Sequence, residues 1–228
     1  SKMKTNEIVS QYDKMTKTPI TNLIIRLSVP TILSMLVSNI YNMVDTMFVG
    51  RLGTSQSGAV GIIFGYMAVL QAVGFLFGQG SGSILSRQLG SKDYEDATKS
   101  ASTGFFGALI VSVVVAAISY WRLDDVINIL GCTDTIAPYA RIYIEYIIMS
   151  APFIVTSFTM NNILRYEGKA FLGTIGMISG AVLNMIGDPI FMFGFDMKIA
   201  GAGLSTALAQ FISFSILLTI FLTGHTQT

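Results

Sequence analysis

Apolar residues in this chain fall into six long runs, not into the short alternating patterns of strands or the one-sided stripes of soluble helices. The runs cover roughly residues 21–48, 58–86, 98–121, 137–159, 171–195 and 201–223. Each is long enough to cross a bilayer core, which takes about 20 apolar residues as a helix. Turn and charge signals separate them: GRLGTSQSG, SRQLGSKDYEDATK, RLDDVINILGCTD, LRYEGKAFLG and FDMKIAGAG. The pattern predicts an all-α membrane protein built as a bundle of six transmembrane helices. It divides the chain into a polar tail at 1–20, a six-helix lobe at 21–223 and a short polar end at 224–228.

Composition agrees with this division. Hydrophobic residues are 52% of the chain and charged residues 12%, about half the usual charged share. The net charge of +1 matters less than where the charges lie. Lys2, Lys4, Lys14 and Lys17 in the tail, Arg87, Lys92 and Lys99 in the second break, and Arg165 and Lys169 in the fourth put nine cations on one side. Arg51, Arg122, Lys198 and Arg141 put four on the other. This asymmetry predicts that both termini are cytoplasmic. Tyr120 and Trp121 then lie in the outer aromatic belt. Ser1 to Thr18 lacks the apolar stretch of a signal peptide. One cysteine, Cys132, and one histidine, His225, leave no disulfide and no His-rich metal site. No Ser/His/Asp, metal-His or nucleotide-binding constellation is present, so neither enzymatic catalysis nor a nucleic-acid partner is expected.

Against this apolar background a few polar residues stand out. The stretch VLNMIGDPIFMFG places Asn184 and Asp188 four apart in the fifth span and follows the Asp with Pro189. A carboxylate inside a membrane is costly and calls for a functional explanation. The first span runs outward, and Asp45 precedes Arg51 by six residues, so Asp45 lies in the outer third. The fifth span also runs outward, and Asp188 precedes Lys198 by ten residues. The sixth runs inward and brings Thr206 and Gln210 to the same depth. Asn42 and Asp45 share a face of span one, Asn184 and Asp188 of span five, and Thr206 and Gln210 of span six. Two carboxylates with amide and hydroxyl oxygens at one depth suit a small hard cation such as Na⁺. They suit a proton equally, because burial and a second carboxylate both favour the neutral acid. Pro189 cannot donate to the carbonyl of Met185, which leaves a backbone oxygen beside the pair. Pro30 is expected to kink span one.

Other features have plainer readings. GQGSGS at 78–83 follows an apolar helix and lacks the lysine of a phosphate loop, so close helix packing explains its glycines. Arg141 and Glu145 have the spacing of a local ion pair. Arg165, Glu167 and Lys169 read as a solvated inner loop.

The motifs taken in order resemble the multidrug and toxic compound extrusion (MATE) family over nearly the whole chain. PITNLIIRLSVPTIL is similar to the family's opening helix with its proline, and YNMVDTMFVGRLGTSQSGAVG to the end of span one and the entry to span two. SRQLGSKDYEDA and LRYEGKA resemble its cytoplasmic loops, and NMIGDPIFMFG with IAGAGLSTALAQ its fifth and sixth spans. The resemblance implies one lobe of a twelve-helix transporter, in which two six-helix lobes alternate access and expel organic cations against Na⁺ or H⁺. It also implies that Asp45, Asn184, Asp188 and Thr206 form the cation site of the first lobe, with no other cofactor.

The resemblance accounts for one lobe only. Either the chain is half of a longer protein, or two copies pair as a homodimer. The expected partners are membrane lipid, small amphipathic and cationic substrates, and that second lobe, in the plasma membrane. Two other functions compete: a flippase for lipid-linked intermediates, and a channel or scaffold whose polar residues only join helices. A flippase cavity needs several cations for its phosphate, and the spans are nearly free of Lys and Arg away from their ends. A scaffold has no need of two carboxylates at one depth.

Overall fold

A computed structural model of the chain describes residues 2–17 and 19–223. The described elements are helices: α1 Lys2–Lys17, α2 Ile20–Gly50, α3 Thr54–Gly90, α4 Tyr94–Trp121, α5 Leu123–Ile129, α6 Ala137–Tyr166, α7 Ala170–Pro189, a π-helical turn Ile190–Gly194, and α8 Ile199–Leu222. The six expected spans correspond to α2, α3, α4, α6, α7 with its π-helical turn, and α8, each long and apolar enough to cross a membrane. The polar end at 224–228 lies outside the described residues. Connections of a few residues, apart from the longer one between α4 and α6 that holds α5, make successive spans antiparallel neighbours.

The core forms around α6, the most buried of the spans. Tyr143, Ile144, Ile147, Ile154 and Val155 of α6 pack with Ile63 and Leu70 of α3, all fully buried. Helices α4 and α8 close on other sides of α6, and α7 packs between α8 and α2. Helix α2 is the least covered span. Its exposed apolar residues include Ile24, Leu36, Ile40 and Met43, as suits a helix facing lipid or another lobe. It runs unbroken through Pro30, whose carbonyl accepts a hydrogen bond from Thr174 Oγ1 on α7 at 3.0 Å.

Three details depart from the sequence-based expectation. The tail is not merely polar chain: α1 lies against the inner loops, with Gln11 Nε2 donating to the Glu167 carbonyl at 3.2 Å and Lys92 Nζ 4.8 Å from the Tyr12 ring centroid. The loop beneath it is therefore not solvated as expected. Glu167 is only 2% exposed, and Arg165 donates to the Asn162 side chain. Nor does Arg141 pair locally with Glu145; it pairs with Asp124. The short helix α5 brings Asp124 across to α6, and no periodicity in RLDDVINILGCTD announced that turn. The close-packing reading of the glycines at 78–83 holds for two of the three: a Cβ on Gly78 would stand 2.6 Å from Asn162 and one on Gly82 2.3 Å from Tyr166, but one on Gly80 would meet nothing within 4 Å.

Candidate cation site

Each helix that carries a candidate residue presents it inward. Asp45, Asn184, Asp188 and Thr206 are all 1–2% exposed. The side chains of Asp45 and Asp188 lie within interaction range of each other, and Ser205 lies within range of Asp188. Tyr143 of α6 approaches both Thr206 and Asp45. Three spans separated in sequence thus deliver their polar groups to one place, and α6 supplies a fourth wall.

Local backbone structure sets this placement. Pro189 ends the α-helical ladder of α7 directly after Asp188, and the chain continues as the π-helical turn. π-Turns of this kind tend to occur at functional sites. Helix α8 then packs tightly on α7. A Cβ on Gly187 would stand 2.6 Å from Ser205 Oγ, and one on Gly201 2.6 Å from the backbone of Phe191. Glycine at these two positions permits the close approach of α8 to α7 that brings Ser205 within range of Asp188. Ser205 Oγ also donates to Asn184 Oδ1 at 2.9 Å, which fixes the amide oxygen.

Hydrogen bonding is incomplete here. Asp45 Oδ1, both carboxyl oxygens of Asp188, Thr206 Oγ1 and Tyr143 OH are buried with no hydrogen-bond partner among the described residues. Most buried polar atoms in proteins are partnered, and a cluster that is not calls for an explanation. The donor set fits a hard monovalent cation: two carboxylates, a hydroxyl from Thr206 and an amide oxygen. It fits a bound proton as well, which would supply the missing donor between the carboxyls.

A cleft of about 390 Å³ opens beside the cluster. Asn42, Asn184 and Gln210 line it, and so do Gln71 and Asn161. Its apolar wall includes Phe75, Phe158 and Met177, and Arg165 reaches it as well. The sequence-predicted residues therefore sort into two layers. Asn42 of α2 and Gln210 of α8 face the cleft, while Asp45 and Thr206 lie one turn away in the closed cluster. Asn184 belongs to both layers, one turn from Asp188. Sequence reading missed Tyr143, Ser205 and Asn161. Serine and tyrosine are common at any depth in membrane helices, and only the rotation of α6 and α8 shows which of them face inward.

The six spans thus close on a buried carboxyl pair beside a polar cleft. The MatE family pattern matches residues 30–190, and the chain belongs to that family. It is 33% identical over 196 residues to the multidrug export protein MepA of Staphylococcus saprophyticus, covering 86% of this chain and 44% of that protein. It is 31% identical over 195 residues to MepA of Staphylococcus aureus, covering 85% of this chain and 43% of that protein. The fold matches an outward-facing multidrug resistance MATE transporter of the MOP superfamily with TM-score 0.85 and 27% identity, over 93% of this chain and 47% of the other. It also matches a MOP superfamily transporter from Pyrococcus furiosus, whose reversed binding-pocket polarity suggests a different function for that protein, with TM-score 0.84 and 28% identity over 91% and 46% of the two chains. The chain thus spans less than half the length of these relatives and corresponds to one lobe of a multi-pass membrane transporter.

Proposed function

We propose that this lobe works in a multidrug efflux transporter of the plasma membrane, which exports small amphipathic cations by antiport with Na⁺ or H⁺. A second lobe, from the same protein or a second copy of this chain, completes the alternating-access unit. The observation that carries the reading is the two-layer arrangement on α2, α7 and α8. Each helix gives one polar residue to the cleft, and one turn away one residue to the carboxyl cluster.

That arrangement supplies a coupling mechanism. Without a bound ion, the facing carboxyls of Asp45 and Asp188 repel whenever both are ionised. A Na⁺ or proton between them removes the repulsion and lets α2 draw toward α7. Asn42 and Asn184 move with those helices, so the cleft changes shape as the cluster fills. Cargo and coupling ion then favour different states of the lobe, which is what antiport requires. The many amides and aromatic rings of the cleft suit organic cations with a few polar groups.

The test is equilibrium binding of radiolabelled tetraphenylphosphonium to the purified protein in bilayer discs, titrated with Na⁺ at several pH values. The wild type is expected to release the probe as Na⁺ or H⁺ rises, and Asp188→Asn to bind it without ion dependence. Binding in Asp188→Asn with unchanged ion dependence would refute the coupling role.

A further inference from the structure

A second groove, of about 530 Å³, runs between α3 and α4. Its wall on α3 is the row Leu76, Gly80, Ile84 and Gln88, four residues apart and so one above the other on the helix. Its floor is where the helices approach most closely. A Cβ on Gly104 would stand 2.3 Å from Ser81, and one on Gly107 2.9 Å from the Phe77 ring. Gly80 is different: a Cβ there meets nothing within 4 Å, so its missing side chain leaves the groove open and does not serve packing. From Leu76 to Gln88 the groove runs roughly 18 Å at the rise of an α-helix, the length of a phospholipid acyl chain.

The two ends of the groove differ in chemistry. The outer stretch is apolar, with Leu76 70% and Ile84 52% exposed toward the lipid. The inner end, on the side given to the cytoplasm by the cation count, carries Asp96 and Lys99 together with Gln88, Ser100 and Thr103. Ser100 Oγ donates to Gln88 Oε1 at 2.8 Å, which joins the two walls. Lys99 contacts Glu95 at 3.6 Å, but both side chains are largely exposed, so the pair is weak and the ammonium is free to turn to a stronger partner.

We propose that this groove binds one ethanolamine-type phospholipid of the cytoplasmic leaflet. The acyl chain lies along Leu76, Gly80 and Ile84. The phosphate accepts from Lys99 and from the amide N–H of Gln88, which stays free to donate while Gln88 Oε1 accepts from Ser100, and the headgroup ammonium donates to Asp96. A carboxylate and an ammonium at one mouth complement a zwitterion whose amine retains its N–H donors. An anionic headgroup meets Asp96 unfavourably, and a choline headgroup has no proton to donate.

The experiment is native mass spectrometry of the full chain released from mild detergent. It is titrated separately with dioleoyl-phosphatidylethanolamine, dioleoyl-phosphatidylglycerol and dioleoyl-phosphatidylcholine. The wild type is expected to bind the first ethanolamine lipid roughly tenfold more tightly than either of the others. Gly80→Leu fills open space and is expected to lose that first lipid, while Ile110→Ala, on the exposed face of α4, keeps it. Asp96→Asn and Lys99→Gln change exposed side chains, leave folding intact, and are expected to erase the headgroup preference. Equal affinities for the three lipids in the wild type overturn the proposal. So does an unchanged preference in both mouth variants, retention of the lipid by helical Gly80→Leu, or displacement of the lipid by tetraphenylphosphonium.

Discussion

Two seams of this lobe differ in the buried polar groups they leave without a partner. In the seam of α3, α4 and α6 most are paired, the Ser157 hydroxyl of α6 apart. Tyr66 OH donates to Ser119 Oγ at 2.9 Å, and Thr159 Oγ1 reaches the Gly74 carbonyl at 3.2 Å. Ser150 Oγ returns to the Ile147 carbonyl at 3.0 Å. In the seam of α2, α7 and α8, Asp45, Asp188 and Thr206 keep buried oxygens with no partner among the described residues, and Tyr143 faces them in the same condition. Paired groups join helices at a modest gain. Unpaired carboxyls in the same solvent are a standing cost unless an ion or proton fills the site. The contrast separates a scaffold from a site within one small bundle.

The largest effect is expected from the carboxyl pair. Asp188→Asn should weaken ion-linked probe release by roughly 100-fold or more, while thermal stability in detergent holds or rises, because a buried charge is removed. A large fall in stability with ion linkage preserved would place Asp188 with the structural groups of the other seam. Next comes the approach of α8. Gly187→Val sets a branched side chain against Ser205 and should weaken ion binding by about tenfold through displaced geometry. Ion affinity equal to wild type in this variant would show that Ser205 and Thr206 have no part in the site.

The paired seam should respond in the opposite sense. Tyr66→Phe removes one interhelical hydrogen bond, at about 0.6 kcal/mol in membrane proteins, and should lower the melting temperature slightly with ion affinity unchanged. Altered ion affinity there would mean that the two seams are energetically joined. The smallest effect belongs to the outer surface. Arg141→Ala breaks an exposed pair with Asp124 and should cost about 0–1 kcal/mol, seen as a marginal shift in unfolding.

Most of the six-helix bundle was legible in the sequence, because bilayer thickness imposes a length and an apolarity that few other structures share. The candidate site was legible in part for a related reason. Asp45 and Asp188 are too costly to be incidental, and depth along an antiparallel helix follows from counting residues to the nearest interface charge. What depth does not give is rotation. Ser205 and Tyr143 join the cluster only because α6 and α8 turn those faces inward, and serine and tyrosine carry no penalty that would mark them. The π-helical turn after Pro189 was equally hidden, since a proline predicts a lost hydrogen bond but not how the chain reconnects. Helix α1 and the burial of Glu167 depend on contacts between the tail and a loop more than 150 residues away, which no local pattern encodes.

The central claim is that Asp45 and Asp188 form one ion site and not two separate ones. A double-mutant cycle on ion-linked tetraphenylphosphonium release tests it directly, with Asp45→Asn, Asp188→Asn and the two combined. If one ion or proton is shared, either substitution destroys the site, and the double variant should be no worse than the more severe single one. Losses that multiply, so that two roughly 100-fold effects become about 10,000-fold, would mean independent sites and contradict the account.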